Sequence, residues 1–436
     1  MEKPTLLDRA IAPLTWLERA KGPKRLGLVF LYAMIALVVG VLGWRGLSLW
    51  NLPDIGEPFD TARFGTVDVP DSSNAMIPYR EAAAELIAAL PSTYKVASSK
   101  SWENHNWATA DPEVRRWVVD NRPAFAIWLQ GTERPECLVG QPRDLSENSF
   151  SVIAISFQDF IRLARLEASR LEAEGDLEGA WRVHRASLRA SRHVGMHGTL
   201  TQRMMGHGIL RLVWPDVLRW VDDSQVTPEL LRRAIADVEV CKAMTAPNSE
   251  MFRSGYFALS SVIELTGDSP RRAFDNSGES GDWLGYSAIW PQIRHFLRRE
   301  PERTRRIHNL ITAGILAQCD RPRGDRPMLA SSRFMIYDID PVKPGAVAAI
   351  EPGELAKWAD RSLYADITGD LGFHFGRIET EVSIFDTFLL SMALRAYEIE
   401  RGQSPKTYGE LLGPYLKTLP EGFEPGDSIA PTTIPN

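Results

Sequence analysis

The sequence predicts a mainly all-α protein: one N-terminal transmembrane helix followed by a large helical-hairpin domain, with minor irregular or short strand segments. Three observations predict it. An uncharged apolar run lies near the N-terminus, apolar residues then recur at spacings of three and four, and Pro, Gly and capping residues punctuate the periodic stretches. The composition fits a folded chain, with 44% apolar and 24% charged residues among 436. That length supports more than one ordinary core. A net charge of -6 is small for this length and does not suggest a nucleic-acid surface, so no nucleic-acid partner is expected. The three cysteines, Cys137, Cys241 and Cys319, are widely spaced, which argues against a disulfide framework and a Cys-rich zinc site and allows one bridge at most.

Residues 1–25 form a basic segment in which Leu7, Ile11, Leu14 and Leu17 fall at helical spacing, interrupted by Pro13. Residues 26–44, LGLVFLYAMIALVVGVLGW, carry no charge over nineteen positions. At about 1.5 Å per residue this matches a hydrocarbon core of about 30 Å, so a lipid bilayer is the expected partner of this segment. Lys3, Arg9, Arg19, Lys21, Lys24 and Arg25 precede the run, whereas Arg45 and Arg63 follow it as flanking charges among Asp54, Glu57 and Asp60. That asymmetry predicts a single-pass protein of the cell membrane with a cytoplasmic N-terminus and an exported large domain. A cleaved signal has the same charge pattern. It is opposed by the long basic region and by the Trp, Arg and Leu residues of 44–53, where a small-x-small site is needed.

Residues 45–75 contain Pro53, Pro58 and Pro70 and read as a linker. A first helical subdomain is expected over 76–266, with helices over 79–90 and 112–129. Its clearest unit is the hairpin 151–194. Ile153, Phe157, Phe160, Ala164 and Ala168 share one helix face, Gly175 and Asp176 turn the chain, and Leu177, Ala180, Trp181, His184 and Leu188 share the next. Thr199 with Gln202 predicts a capping box, and Thr227 before Pro228 starts a further helix. Residues 267–282 read as a mobile loop. A second helical subdomain follows over 283–420, with a possible strand at 333–339 and a long central helix over 377–401 closed by Gly402. The end, 421–436, reads as a flexible tail.

The segments NLPDIGEPFD, EPERTRRIHNLITAGILAQCDRPRGDRP and ALRAYEIERGQSPKTYGELLGPYLKTLP together resemble the membrane-anchored helical proteins of planctomycete-type bacteria. The resemblance implies no particular activity and no site residues. EAEGDLEGAWRVHRASL resembles one tetratricopeptide hairpin, with Ala168, Gly175, Ala180 and Leu188 at matching places. A shift of about 34 residues recovers no second copy, and arrays need about three. The C-terminal helix with its following Gly and Pro is similar to the body of type II pseudopilins over that stretch alone.

His193 and His197 have the four-residue spacing of a helical metal pair, but Gly195 and Gly198 break the helix between and after them and no HExxH glutamate is present. His184, on the apolar stripe, reads as a core histidine. Arg298, Arg299, Arg303 and Arg306, in a run with Arg294 and Arg305, form the candidate anion site for a glycan, phosphate or lipid head group. The competing reading is a salt-bridged face that uses Glu300 and Glu302. Asp338 and Asp340 could present two carboxylates from one strand side. No phosphate-binding glycine loop or nucleophile elbow is present, so no catalytic residue and no cofactor is expected. The expected function is a membrane-tethered helical scaffold or binding module of the cell envelope, with a protein or glycan partner. The alternative is an anchored hydrolase with a dispersed active site.

Overall fold

A computed structural model describes residues 22–47, 49–50, 52–87, 107–145, 151–268, 296–321, 352–360 and 371–429. The all-α class is observed. Among the described residues no strand forms, and isolated bridges such as Asn74 with Glu136 are the only β pairing. The chain makes two compact units, each discontinuous in sequence. One comprises Met1–Gly56, Val262–Leu310 and Lys357–Asp366; the other comprises Glu57–Ser261, Ile311–Ala356 and Ile367–Asn436.

Helix α1 (Pro23–Leu47) extends the uncharged run at both ends. Pro23 is tolerated in a first turn, where its missing N–H would have no helical acceptor, and Arg45 lies in the last turn. Its side chains face outward, with Leu26 75% and Phe30 69% exposed, and it is long and apolar enough to cross a membrane.

The other unit begins with the single turn α2 (Thr61–Phe64), capped by Asp60, and α3 (Met76–Glu85). Where one helix is expected over 112–129, two form: α4 (Pro112–Asp120) and α5 (Arg122–Thr132). Pro123 has no N–H for a continuing helix. The buried Asn121 occupies the break, donating from Nδ2 to the Trp117 carbonyl at 2.8 Å and accepting from the Ile87 N–H at 2.7 Å.

The chain turns from α6 (Ser151–Ala173) into α7 (Leu177–Gly195) through Gly175, whose φ of 80° suits a residue without Cβ, and Asp176 caps α7 by accepting from the Gly179 N–H at 2.8 Å. Buried Phe160, Ala164, Trp181 and Leu188 fill the hairpin. Trp181 also donates to Asp237 at 2.8 Å and packs 4.8 Å from the Trp220 ring.

The capping box of Thr199 and Gln202 opens α8 (Leu200–Val221), and Thr227 caps α9 (Pro228–Ala243). Then come α10 (Asn248–Asp268), α11 (Glu300–Leu316), α12 (Pro352–Asp360) and α13 (Leu371–Arg401), which ends at Gly402 with φ 68°. Helix α13 lies against α8 and α9 and buries Phe385, Phe388, Met392 and Ala396 at the centre of the core. Within this unit the apolar faces of α8 and α9 are thus covered by a helix from the far end of the chain.

The segment 421–429, expected to fray, is tied down. Backbone bonds run from Gly409 to Pro425 at 2.9 Å and from Ile429 to Lys406 at 3.2 Å, and the rings of Tyr408 and Phe423 pack 4.9 Å apart. In the expected loop 267–282, α10 continues to Asp268. The remainder of that loop, the expected strand at 333–339 with Asp338 and Asp340, and Arg294 lie outside the described residues.

Candidate functional site

The two histidines proposed as a metal pair are drawn to different partners. Helix α7 ends at Gly195, and His197 stands beyond it at φ 54°, in the left-handed region. His193 is fully buried. Its Nε2 faces the Arg134 carbonyl at 2.9 Å, which can only accept, so Nδ1 accepts from the Tyr79 hydroxyl at 2.7 Å. Burial, aided by the charge of Arg189, holds this ring neutral, with its pKa lowered to about 3.

His197 instead lies between carboxylates, with Nε2 3.0 Å from Glu136 and Nδ1 3.4 Å from Glu250. Burial acts to lower its pKa, but the hydrogen bonds and charges of Glu250 and Glu136 outweigh it and hold the ring above the usual histidine value. Ser254 bonds the His197 carbonyl at 3.0 Å. The result is an ion-paired clasp between the α7–α8 turn, the segment after α5 and helix α10. Among the described residues no group of three or more His, Cys, Asp and Glu side chains is placed to hold a metal ion. His184 is a buried core histidine 2.9 Å from Glu172, and all three cysteines are buried thiols outside any disulfide.

A larger buried charge group was not read from the sequence. Arg192 of α7 and Arg203 of α8 converge on one oxygen of Glu381 of α13, at 3.0 and 2.9 Å, with all three side chains buried. Arg203 also donates to the Ala246 carbonyl at 3.1 Å, and the Arg192 guanidinium lies 5.0 Å from the Phe385 ring. Burial and the neighbouring Arg203 lower the pKa of Arg192 against the pull of Glu381. A second buried pair, Arg165 with Asp216 at 2.5 Å, joins α6 to α8. These groups bind helices together. A sequence signal exists for Arg192, which falls four residues after Leu188 on the apolar stripe of α7, where a charge requires a buried partner.

The expected anion-binding arginines divide. Arg306 does not stand open to an anion: its Nε bonds Glu302 at 2.7 Å and its Nη1 donates to the Leu52 carbonyl at 2.9 Å. Arg305 bridges Glu302 and Asp54 at 3.0 and 2.8 Å. Asn309 donates to the Gly56 carbonyl at 2.6 Å. Together these hold the segment 52–56 along the start of α11. Arg298 lies 4.0 Å from Glu300, and Arg303 is half-buried in the first turn of α11.

Arg299 differs from its neighbours. It is exposed, adopts φ 53°, and lines a cavity of about 280 Å³ together with Arg45, Phe296, Pro301 and Glu302. Arg45, from the last turn of α1, donates to the Phe296 carbonyl at 2.5 Å, and its guanidinium stacks 4.1 Å from the centre of the Phe296 ring. The chain matches no family model, no curated protein and no solved structure. Arg45 was read only as a flanking charge and Phe296 was not singled out, because their meeting joins positions 251 residues apart.

Proposed function

We propose that the chain is a membrane-tethered helical scaffold or binding module of the cell envelope, with α1 as a single-pass anchor, the N-terminus in the cytoplasm and the large helical part exported. The exposed apolar surface of α1 carries this reading. A soluble core helix of that length would bury its Leu, Ile and Phe side chains, whereas here they face outward over the whole helix. The basic residues before the helix and the acidic ones after it support the orientation. On the protein side, His193 and His197, one of the two places a hydrolase site could use, the other being the Asp338 region, are engaged by Tyr79, Arg134, Glu136 and Glu250 in bonds that fasten the fold.

A reporter active only outside the cytoplasm, fused after Asn436, is expected to be active, and the full chain is expected to stay in membranes through a high-salt wash. An inactive reporter reverses the orientation. A shortened chain in the soluble fraction identifies α1 as a cleaved signal and removes the anchor.

A further inference from the structure

The cavity at the end of α1 joins three properties. It opens at the first charged residue beyond the apolar run, it is lined by guanidinium groups, and it carries an exposed aromatic ring. The nineteen uncharged residues 26–44 rise about 28 Å along a helix, close to the thickness of a hydrocarbon core. If that run spans a bilayer, Arg45 stands at the level of the head-group phosphates. Trp44, Trp50 and Phe296, which are 58%, 81% and 57% exposed, lie near it in sequence or contact and suit the same interface.

The lining favours an anion. Among the described residues the cavity is lined by two guanidinium groups, Arg45 and Arg299, and one carboxylate, Glu302. Glu302, the one acid among the described residues that line the cavity, is already bonded to Arg305 and Arg306 at 3.0 and 2.7 Å. Helix α11 begins beside the cavity, and the unsatisfied N–H groups of a helix start add positive potential. Arg299 adds a separate observation. A non-glycine residue at φ 53° is strained, and glycine there would relieve the strain, yet the position carries a long cation that lines the cavity.

We propose that the cavity lined by Arg45, Phe296, Arg299, Pro301 and Glu302 takes the phosphate of an anionic phospholipid from the leaflet through which α1 emerges. The proposal rests on the anchoring reading. The planar forks of Arg45 and Arg299 match phosphate oxygens, and the Phe296 ring lies where the glycerol and upper acyl carbons of the same lipid would sit. The lipid would fix the position of α11 against the end of the anchor.

The test uses the full chain in nanodiscs of phosphatidylcholine containing a minority of phosphatidylglycerol, with retained lipids counted by native mass spectrometry after release. Wild type is expected to retain phosphatidylglycerol above its share of the disc, and Arg45→Gln with Arg299→Gln is expected to lower this enrichment roughly tenfold. Arg211→Gln with Arg232→Gln, which removes the same two charges away from the cavity, is expected to leave it unchanged. Arg299→Gly removes the guanidinium while easing the backbone, so it should lower enrichment severalfold, less than the double variant does, with a melting temperature at or above that of wild type. Enrichment that Arg299→Gly leaves at the wild-type level, or retention by wild type at the share of the disc, overturns the head-group site while the anchor stands. Loss of enrichment when inorganic phosphate is added identifies a site for free phosphate and overturns the lipid. A chain that does not enter the discs defeats the anchor, and the head-group site with it.

Discussion

Two arginine groups in this chain have nearly the same bond lengths and opposite surroundings. Arg192 and Arg203 meet Glu381 at 3.0 and 2.9 Å with the carboxylate and the Arg192 side chain 1% exposed, whereas Arg305 meets Asp54 at 2.8 Å with side chains 42% and 38% exposed. The difference teaches that burial, more than geometry, decides what an ion pair does. In the interior a charge that loses its partner has no water to turn to, so the pair enforces one packing of α7, α8 and α13. At the start of α11 water can replace either partner, so the same chemistry holds a strap loosely.

The comparison is broken most severely at Glu381. Glu381→Gln leaves two buried cations with no counter-charge and is expected to cost about 3 to 5 kcal/mol in a denaturant melt of the detergent-solubilised chain. Replacing the whole group, Arg192→Met with Arg203→Met and Glu381→Leu, is expected to recover most of that loss. If the triple variant is as unstable as the single one, charge matching is not what the group supplies.

Trp181→Ala tests the same interior without charge. Loss of a buried ring that packs on Trp220 is expected to cost about 3 to 5 kcal/mol, and an unchanged melt would put Trp181 on the surface.

The two histidines sharpen the comparison through pH, and their signs are opposite. His193 has a lowered native pKa of about 3, so the unfolded chain binds the proton first and its contribution falls as pH drops from 6.5 toward 3. His197 has a raised native pKa. Its contribution is full below 6.5 and is lost as pH rises through that higher value. In an NMR titration the His197 ring is expected to titrate above 6.5 while the His193 ring stays neutral through the mildly acidic range. His193→Gln should flatten the acid side of the stability profile and His197→Gln the side above 6.5. One shared midpoint for both rings would contradict the separate surroundings described for them.

The smallest effect is expected at the exposed group. Glu302→Gln removes a partner of both Arg305 and Arg306, yet it should change stability by under about 1 kcal/mol, because Asp54 and water remain. A loss as large as that of Glu381→Gln would erase the distinction between the two groups.

The helical class was legible because apolar residues recur at helical spacing, and local chemistry marked many ends: the Thr199 and Gln202 box, the Thr227 cap, Gly175 and Gly402. Pro123 was an equally local signal for ending α4, but the apolar spacing from 112 to 129 runs across it and the two helices read as one. Gly195 and Gly198 correctly indicated that His193 and His197 would not share a helix face. Their true partners, Tyr79, Glu136 and Glu250, come from other elements and left no mark near them. The same holds for Glu381, which sits among apolar residues of α13, and for Arg45 beside Phe296. What sequence spacing conveys is the local period of a helix. Which faces meet depends on the three-dimensional path, and both arginine groups are built from such meetings.

The span of the Arg192 to Glu381 pairing, 189 residues, sets an order of events as well as a structure. At an elongation rate of about 5 to 20 residues per second, on the order of 10 to 40 s separate synthesis of the arginine from synthesis of its counter-charge. Throughout that interval α7 and α8 carry two cations on faces that later become interior, where burial is opposed. The unfinished chain is thereby discouraged from collapsing on its own first half, and the core can close only when α13 arrives.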